Sequence, residues 1–303
     1  MFSTTSGAVR LSLIVITGLI ALKAAVAVIT GSISILAQAV DSFLDLFAVV
    51  IIFFAIGMAT RPADKEHPFG HGKVENIAAV VQAVLIFTAG GLIIYSAVRR
   101  IILGTTVELT EAGIGVMLVS IIASIFLSRH LLKVSRTTDS TALEASARNI
   151  AADVYSAAGV LAGLVAIRLT GLTILDPIIA LAVAILILKA AYDVMRKSFG
   201  GLVDVKLPEA EENIIRKCIA THNNEIVSFH KLRTRKVGNQ RHVDLHLVMP
   251  KSASVEEAHQ LCDCLEQEIE ASLKRANVTI HVEPCDEQCD QCPLPPDQRK
   301  CKI

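Results

Sequence analysis

The sequence contains no tryptophan and only three tyrosines and ten phenylalanines in 303 residues. Interfacial Trp and Tyr therefore cannot mark where such a chain would meet a membrane surface. Net charge is also missing, because 29 Lys and Arg balance 29 Asp and Glu. No basic excess of the kind that neutralises phosphates is present, and no nucleic-acid partner is expected. The chain has no nucleotide-binding glycine loop, no recognisable nucleophile–base pair and no organic-cofactor motif, so an enzyme is not expected. No small-residue cleavage site comes after the first apolar run, so no cleaved signal peptide is expected.

What is abundant is apolar sequence. Hydrophobic residues make up 52% and the mean hydropathy is +0.55, above the range of ordinary soluble domains. Six runs have spanning length, at roughly 8–30, 33–58, 77–98, 110–132, 144–168 and 173–195. An even number places both ends on one side. Arg10, Arg61, Lys65, Lys73, Arg129, Lys133, Arg136, Arg196 and Lys197 fall on that side, and Arg99, Arg100 and Arg168 on the other. The positive-inside rule puts both termini in the cytoplasm. In that reducing compartment the seven cysteines are expected as thiols or metal ligands rather than disulfides.

The polar residues inside these runs carry the chemistry. Lys23 interrupts the first run, as a snorkelling or interhelically paired lysine. In the second, Asp41 and Asp45 stand at i and i+4, on one helical face about 6 Å apart along the axis. Each carboxylate at mid-membrane costs about 2.5–3.5 kcal/mol, and two on one face repel unless something positive lies between them. The fifth run repeats the spacing with Asn149 and Asp153. Asp41, Asp45, Asn149 and Asp153 together offer four oxygen donors, a hard set suited to Mn2+ or Fe2+. The competing reading is purely structural, with the polar pairs stitching helices together. The third and fourth runs read as scaffold, with Gly90-Gly91 suited to close helix packing.

The segment from Arg61 to Glu75 holds Pro62, Pro68, Gly70 and Gly72 and is expected as a loop. Asp64, His67 and His71 within it form a mixed carboxylate–imidazole set that suits Zn2+, Mn2+ or Fe2+, although two histidines in a surface loop are often unliganded. The sixth helix is expected to start at Asp176-Pro177 and to exit through Gly200-Gly201. Lys73 and Asp204 form a candidate ion pair at the junction between the membrane helices and the soluble region.

Residues 205–284 read as a soluble α+β domain. A helix over 208–222 is succeeded by strands over 226–237 and 242–249 around Gly238-Asn239, a helix over 254–273 with a capping-box start, and a last strand over 278–282. His230, His246, His259 and His281, joined by Glu283, suggest metal sites on this domain or at its dimer interface. The tail, 285–303, carries Cys285, Cys289, Cys292 and Cys301 and is expected either as a thiolate metal site or as a disordered, redox-sensitive segment. The domain boundaries are thus 1–204, 205–284 and 285–303.

Taken together, Ser32 through Asp45, the loop His67-Pro-Phe-Gly-His71-Gly-Lys73-Val-Glu75 and Asn149-x-x-x-Asp153 resemble the cation diffusion facilitator family of metal/proton antiporters. The resemblance covers about 8–284. It implies a membrane all-α six-helix bundle with a C-terminal cytoplasmic α+β metallochaperone-like domain. It further implies a homodimer in the lipid bilayer, in a bacterial inner membrane, exporting divalent metal by alternating access with protons as counter-ion. The transport site would be Asp41, Asp45, Asn149 and Asp153. Asp64, His67 and His71 would form a loop site, and the four domain histidines with Glu283 a cytoplasmic site where metal tightens the dimer. Lys73 and Asp204 would be a charge interlock between protomers. Divalent metal would be both substrate and regulator. Zinc members of the family usually have His where Asn149 stands; Asn is similar to the manganese branch, with iron close behind. Without that imidazole the carboxylates would carry the protons, taking them up when metal leaves because they then repel one another. Zn2+ or Cd2+ export with an unusual amide ligand is the alternative. A membrane-anchored metal sensor or assembly scaffold is the alternative of another class.

Overall fold

The computed structural model describes residues 4–30, 33–103, 111–172 and 174–285. The chain forms two compact units, Met1–Gly200 and Gly201–Ile303. Six long helices build the first: α1 (Thr5–Thr30), α2 (Ile33–Ala59), α3 (Lys73–Leu103), α4 (Glu111–Thr138), α5 (Thr141–Thr170) and α6 (Leu175–Leu202). Among the described residues, α1, α2, α3, α4 and α6 are long and apolar enough to cross a membrane. α5 has 30 residues, or about 45 Å at 1.5 Å per residue, which also exceeds a bilayer's hydrocarbon thickness.

The helices pack in a defined pattern. α1 lies on α2 and α4, α4 on α5, and α3 on α2 and α5. Ile52, Ile56, Leu127, Leu131, Leu143 and Ile150 form the buried centre of the largest cluster. Large apolar side chains also cover the outside; Phe126 is 79% exposed, with Phe43, Phe47 and Phe54 similar. Apolar surface on this scale needs a lipid solvent. Close approach uses glycine at one point in particular: a Cβ on Gly159 of α5 would come within 2.8 Å of Val183 Cγ2 on α6.

Several helix ends differ from the apolar runs, and three of them are informative. α3 starts at Lys73, four residues before the run expected from 77. Its first turn includes Glu75 and Asn76, which are buried because Ser140 Oγ donates to Glu75 Oε2 at 2.9 Å and Thr141 Oγ1 donates to Asn76 Oδ1 at 2.9 Å. Partnered polar groups can sit inside a packed corner, and hydropathy does not register them. α6 begins at Leu175, so Asp176 lies inside the helix rather than capping it, and Pro177 is tolerated within the first turn. At its other end α6 runs through Gly200-Gly201 to Leu202. The left-handed residue beyond it is Asp204, at φ 56°, not a glycine.

The second unit has α7 (Glu209–Thr221), β1 (Ser228–Val237), β2 (Gln240–Met249), α8 (Val255–Ser272) and β3 (Ala276–Pro284). Gly238, at φ 59°, makes the tight turn of the β1–β2 hairpin. Ser254 starts α8 with a full capping box. The Glu257 N–H donates to Ser254 Oγ at 3.1 Å, and the Ser254 N–H donates to Glu257 Oε2 at 2.8 Å. The sheet order is β1-β2-β3, with β1 and β2 antiparallel and β2 and β3 parallel. Val243, Leu245 and Leu247 of β2 point to one face and bury with Ile215 and Ile219 of α7 and Leu265 and Ile269 of α8. The alternate residues, His242, Asp244 and His246, belong to the opposite face.

Candidate functional site

Three groups of chemistry-bearing side chains stand out. The first lies between α2 and α5, which touch. Asn149 is 8% exposed and its Nδ2 donates to Asp45 Oδ1 at 3.2 Å. Two oxygen-bearing side chains from different helices therefore share one level of the bundle. Asp153 stands one turn further along α5 and is exposed. Asp41 lies one turn before Asp45 on α2, but its side chain is outside the described residues.

Ser42 has no assigned role within the Ser32–Asp45 stretch, yet it holds a place beside this group. It is buried, and Lys23 Nζ of α1 donates to its Oγ at 2.7 Å. A lysine in an apolar run needs a partner, but nothing in the sequence pointed to this hydroxyl, three residues before Asp45 on α2, as the one that provides it. The α5 carboxylate Glu144 has no role by motif either; it pairs with Lys197 of α6 and lies 4.0 Å from Arg148.

The second group is in the loop between α2 and α3. Asp64 Oδ1 accepts the backbone N–H of Glu66 at 3.0 Å and of His67 at 2.6 Å, forming a tight Asp-centred turn. The backbone N–H of His67, above all, holds the Asp64 carboxyl below the ordinary carboxylate value. His67 Nδ1 lies 3.2 Å from Asp64 Oδ1, and His71 Nε2 lies 3.3 Å from Asp64 Oδ2. Gly70, at φ 77°, turns the chain back so that the two rings stand 4.4 Å apart. The Nδ1 of His71 is buried without a hydrogen-bond partner among the described residues. The potential ligand atoms of Asp64, His67 and His71 all fall within 4.8 Å of one another, a span one metal ion can bridge.

The third group crosses the sheet of the second unit. His230 on β1 pairs in register with His246 on β2, which pairs with His281 on β3. The rings of His230 and His246 are 5.4 Å apart, and those of His246 and His281 4.8 Å apart. A bulge between His230 and Arg233 sets this row. Lys231 and Leu232 stand against Leu245 alone, which keeps both His230 and Arg233 on the open face; a regular ladder of the same length would slip His230 onto Leu247, on the core side. Glu283 closes the group: its Oε1 is 2.6 Å from His246 Nδ1 and its Oε2 is 3.0 Å from His230 Nε2. The hydrogen bond from His246 holds the Glu283 carboxyl below its ordinary value. His281 Nε2 is further away, at 3.9 Å. The ligand atoms of His230, His246 and Glu283 converge within 4.8 Å, a borderline set that suits Zn2+ and also Mn2+ or Fe2+.

His259 is not brought into this group. It stands exposed on α8, 3.5 Å from Asp263. Asp204 is engaged within the second unit, 3.3 Å from Arg235. Lys73 opens α3 in the first unit. Cys285 is buried at the end of β3, where its N–H donates to Met249 O at 2.8 Å. Cys289, Cys292 and Cys301 lie outside the described residues.

Comparisons with known proteins give these clusters a setting. Residues 9–203 match the cation efflux transmembrane domain, and residues 207–285 match the cation efflux protein cytoplasmic domain. The chain is 32% identical over 266 residues to the uncharacterized transporter sll1263 of Synechocystis, covering 88% of this chain and 86% of that one. It is 32% identical over 255 residues to the cation-efflux pump FieF of Pectobacterium atrosepticum, covering 84% of each. FieF of Shewanella oneidensis is also 32% identical, over 266 residues, covering 88% of this chain and 89% of the relative. With both domains matched along nearly their whole length, the chain belongs to the cation diffusion facilitator family and is a multi-pass membrane transporter for divalent cation efflux, not an enzyme.

Proposed function

We propose that the protein exports Mn2+ or Fe2+ in exchange for protons, as a homodimer working by alternating access. The observation that carries this reading is the Asn149–Asp45 contact between α5 and α2. It supports a transport site made of oxygen donors alone, from Asp41, Asp45, Asn149 and Asp153. Such a set favours hard or borderline cations over thiophilic ones and lacks the imidazole that favours Zn2+. Two helices supply the donors, so a change in their relative position opens the site to one side or the other. When metal leaves, the crowded carboxylates repel one another and take up protons, which couples the two fluxes.

The loop group of Asp64, His67 and His71 and the sheet group of His230, His246, His281 and Glu283 fit a regulatory role, metal at the second stabilising the dimer; His259, on α8, stands apart from that group. Lys73 and Asp204 fit a charge interlock between protomers. The excess of Lys and Arg at one end of the helices supports cytoplasmic termini. The bacterial relatives support an inner-membrane location.

The imidazole content of the sheet group favours a second reading, Zn2+ or Cd2+ export with an amide ligand at position 149. One assay separates the two: metal-competition flux in proteoliposomes with Mn2+, Fe2+, Zn2+ and Cd2+, on the wild type and Asn149→His. Mn2+ or Fe2+ preference in the wild type, moving towards Zn2+ in the variant, is expected. Zn2+ preference in both would overturn the first reading.

A further inference from the structure

The transport reading gives no role to the lysine of α1. Lys23 lies within the apolar run of α1, where an ammonium is costly, and its Nζ donates to Ser42 Oγ at 2.7 Å. Ser42 is 7% exposed. It stands three residues before Asp45 on α2, so the two share a helical face with about 5–6 Å between Cβ atoms. Asp45 in turn accepts the amide of Asn149 at 3.2 Å. Three helices are thus linked in the order Lys23, Ser42, Asp45, Asn149, with a cation at one end and the proposed metal donors at the other.

We propose that Lys23 is a built-in cation that sets the metal affinity of the transport site. The inference rests on the reading of Asp45 and Asn149 as part of that site. Three carboxylates and a divalent ion leave one negative charge in a low-dielectric setting. The ammonium of Lys23 brings the loaded site to neutrality, which lowers the cost of moving a loaded protomer between its two facing states. The same ammonium repels the arriving metal across a few ångströms, so the site binds weakly enough to release. Ser42 holds the ammonium at a fixed distance, close enough to act on α2 and short of displacing the metal. Lys23 is a positioning residue in this scheme: it works through the field at Asp45 and does not ligate.

Charge and hydrogen bonding separate in a substitution series on the full-length chain in proteoliposomes. Lys23→Gln keeps a donor for Ser42 and loses the charge; Lys23→Met loses both; Lys23→Arg keeps the charge. Initial Mn2+ and Zn2+ flux is measured against metal concentration. Lys23→Gln and Lys23→Met are expected to lower the half-saturating concentration by at least about tenfold and to lower the maximal rate as well, because the Coulomb repulsion between the ammonium and the divalent ion is lost. Lys23→Arg is expected to stay within about twofold of wild type on both measures. A purely structural lysine would lower the rate without tightening half-saturation. The proposal is overturned if Lys23→Gln binds as the wild type or more weakly, or if Lys23→Arg behaves like Lys23→Gln. Asp45→Asn run alongside separates the two levels. If it transports normally, the site reading fails and the role of Lys23 with it. If it is inactive while Lys23→Gln keeps wild-type half-saturation, only the role of Lys23 is lost.

Discussion

Asn149 Nδ2 and Asp45 Oδ1 meet at 3.2 Å although 104 positions separate them in the chain. The contact joins α5 to α2. Buried polar groups in lipid persist when they find each other, and such pairs mark functional positions. Removing the carboxylate tests this directly. Asp45→Ala is expected to reduce metal-dependent flux in proteoliposomes by at least about a hundredfold, since a ligand and its charge are both lost. Flux within a few-fold of wild type would remove Asp45 from the site.

The row across the sheet predicts a separable effect. Glu283 touches both His246 and His230, so it orients two imidazoles as well as offering a ligand atom. Glu283→Ala is expected to weaken metal binding by the second unit about 10- to 100-fold, the range seen when groups that orient ligands are removed. Calorimetric titration of the full-length protein in detergent, with Asp64, His67 and His71 replaced so that the loop is silent, reads this site. Because the proposed transport donors sit on other elements, flux at saturating metal is expected to change far less.

His242 makes a pH prediction. Burial, aided by the nearby Arg235 guanidinium, pushes its imidazole below the ordinary 6.5. The unfolded chain then binds a proton that the folded domain resists. Its contribution is fully present above about pH 6.5 and is lost as pH falls from there towards the folded value. Wild-type denaturation midpoints, monitored by a probe in β2, are expected to drop between pH 7 and pH 5. His242→Gln is expected to flatten that part of the curve. An equally steep curve in the variant would assign the dependence to other groups.

The loop responds to a different change. Asp64 holds its turn by accepting the N–H groups of Glu66 and His67. Asp64→Ala removes the turn and a candidate metal donor together, whereas Asp64→Asn keeps an acceptor. Hydrogen exchange over 61–72 is expected to rise strongly in the first and modestly in the second. Added Zn2+ is expected to slow exchange in the wild type only.

Much of this arrangement was legible in the residues. The six apolar runs locate the helices, Ser254 to Glu257 gives the start of α8, and Gly238-Asn239 gives the hairpin, because each is a local signal. Helix ends were less legible. Glu75 and Asn76 look like loop residues until Ser140 and Thr141 meet them from 65 positions away. Gly200-Gly201 reads as an exit, yet nothing there forbids continuation and α6 runs through it. The histidines illustrate a different limit. Composition marks His230, His246, His259 and His281 alike, but only strand register separates the row of three from His259 on α8. Ser42 was not legible, because a hydroxyl beside an aspartate carries no signal until the lysine it serves is identified.

The bulge in β1 turns strand phase into a requirement for metal chemistry. Lys231, at φ 51°, sits in it. Lys231 and Leu232 stand against the single β2 position Leu245, so deleting either would regularise the ladder and leave His230 opposite His246. One residue added between Arg233 and Gly238, with the bulge kept, would instead shift His230 onto Leu247 and turn its imidazole to the inner side. The second unit can therefore lose its candidate metal group by a change in chain length alone, with every histidine and Glu283 still present in the sequence. A census of ligand residues in related chains would count such a protein as intact; the spacing from His230 to Gly238 tells the two apart.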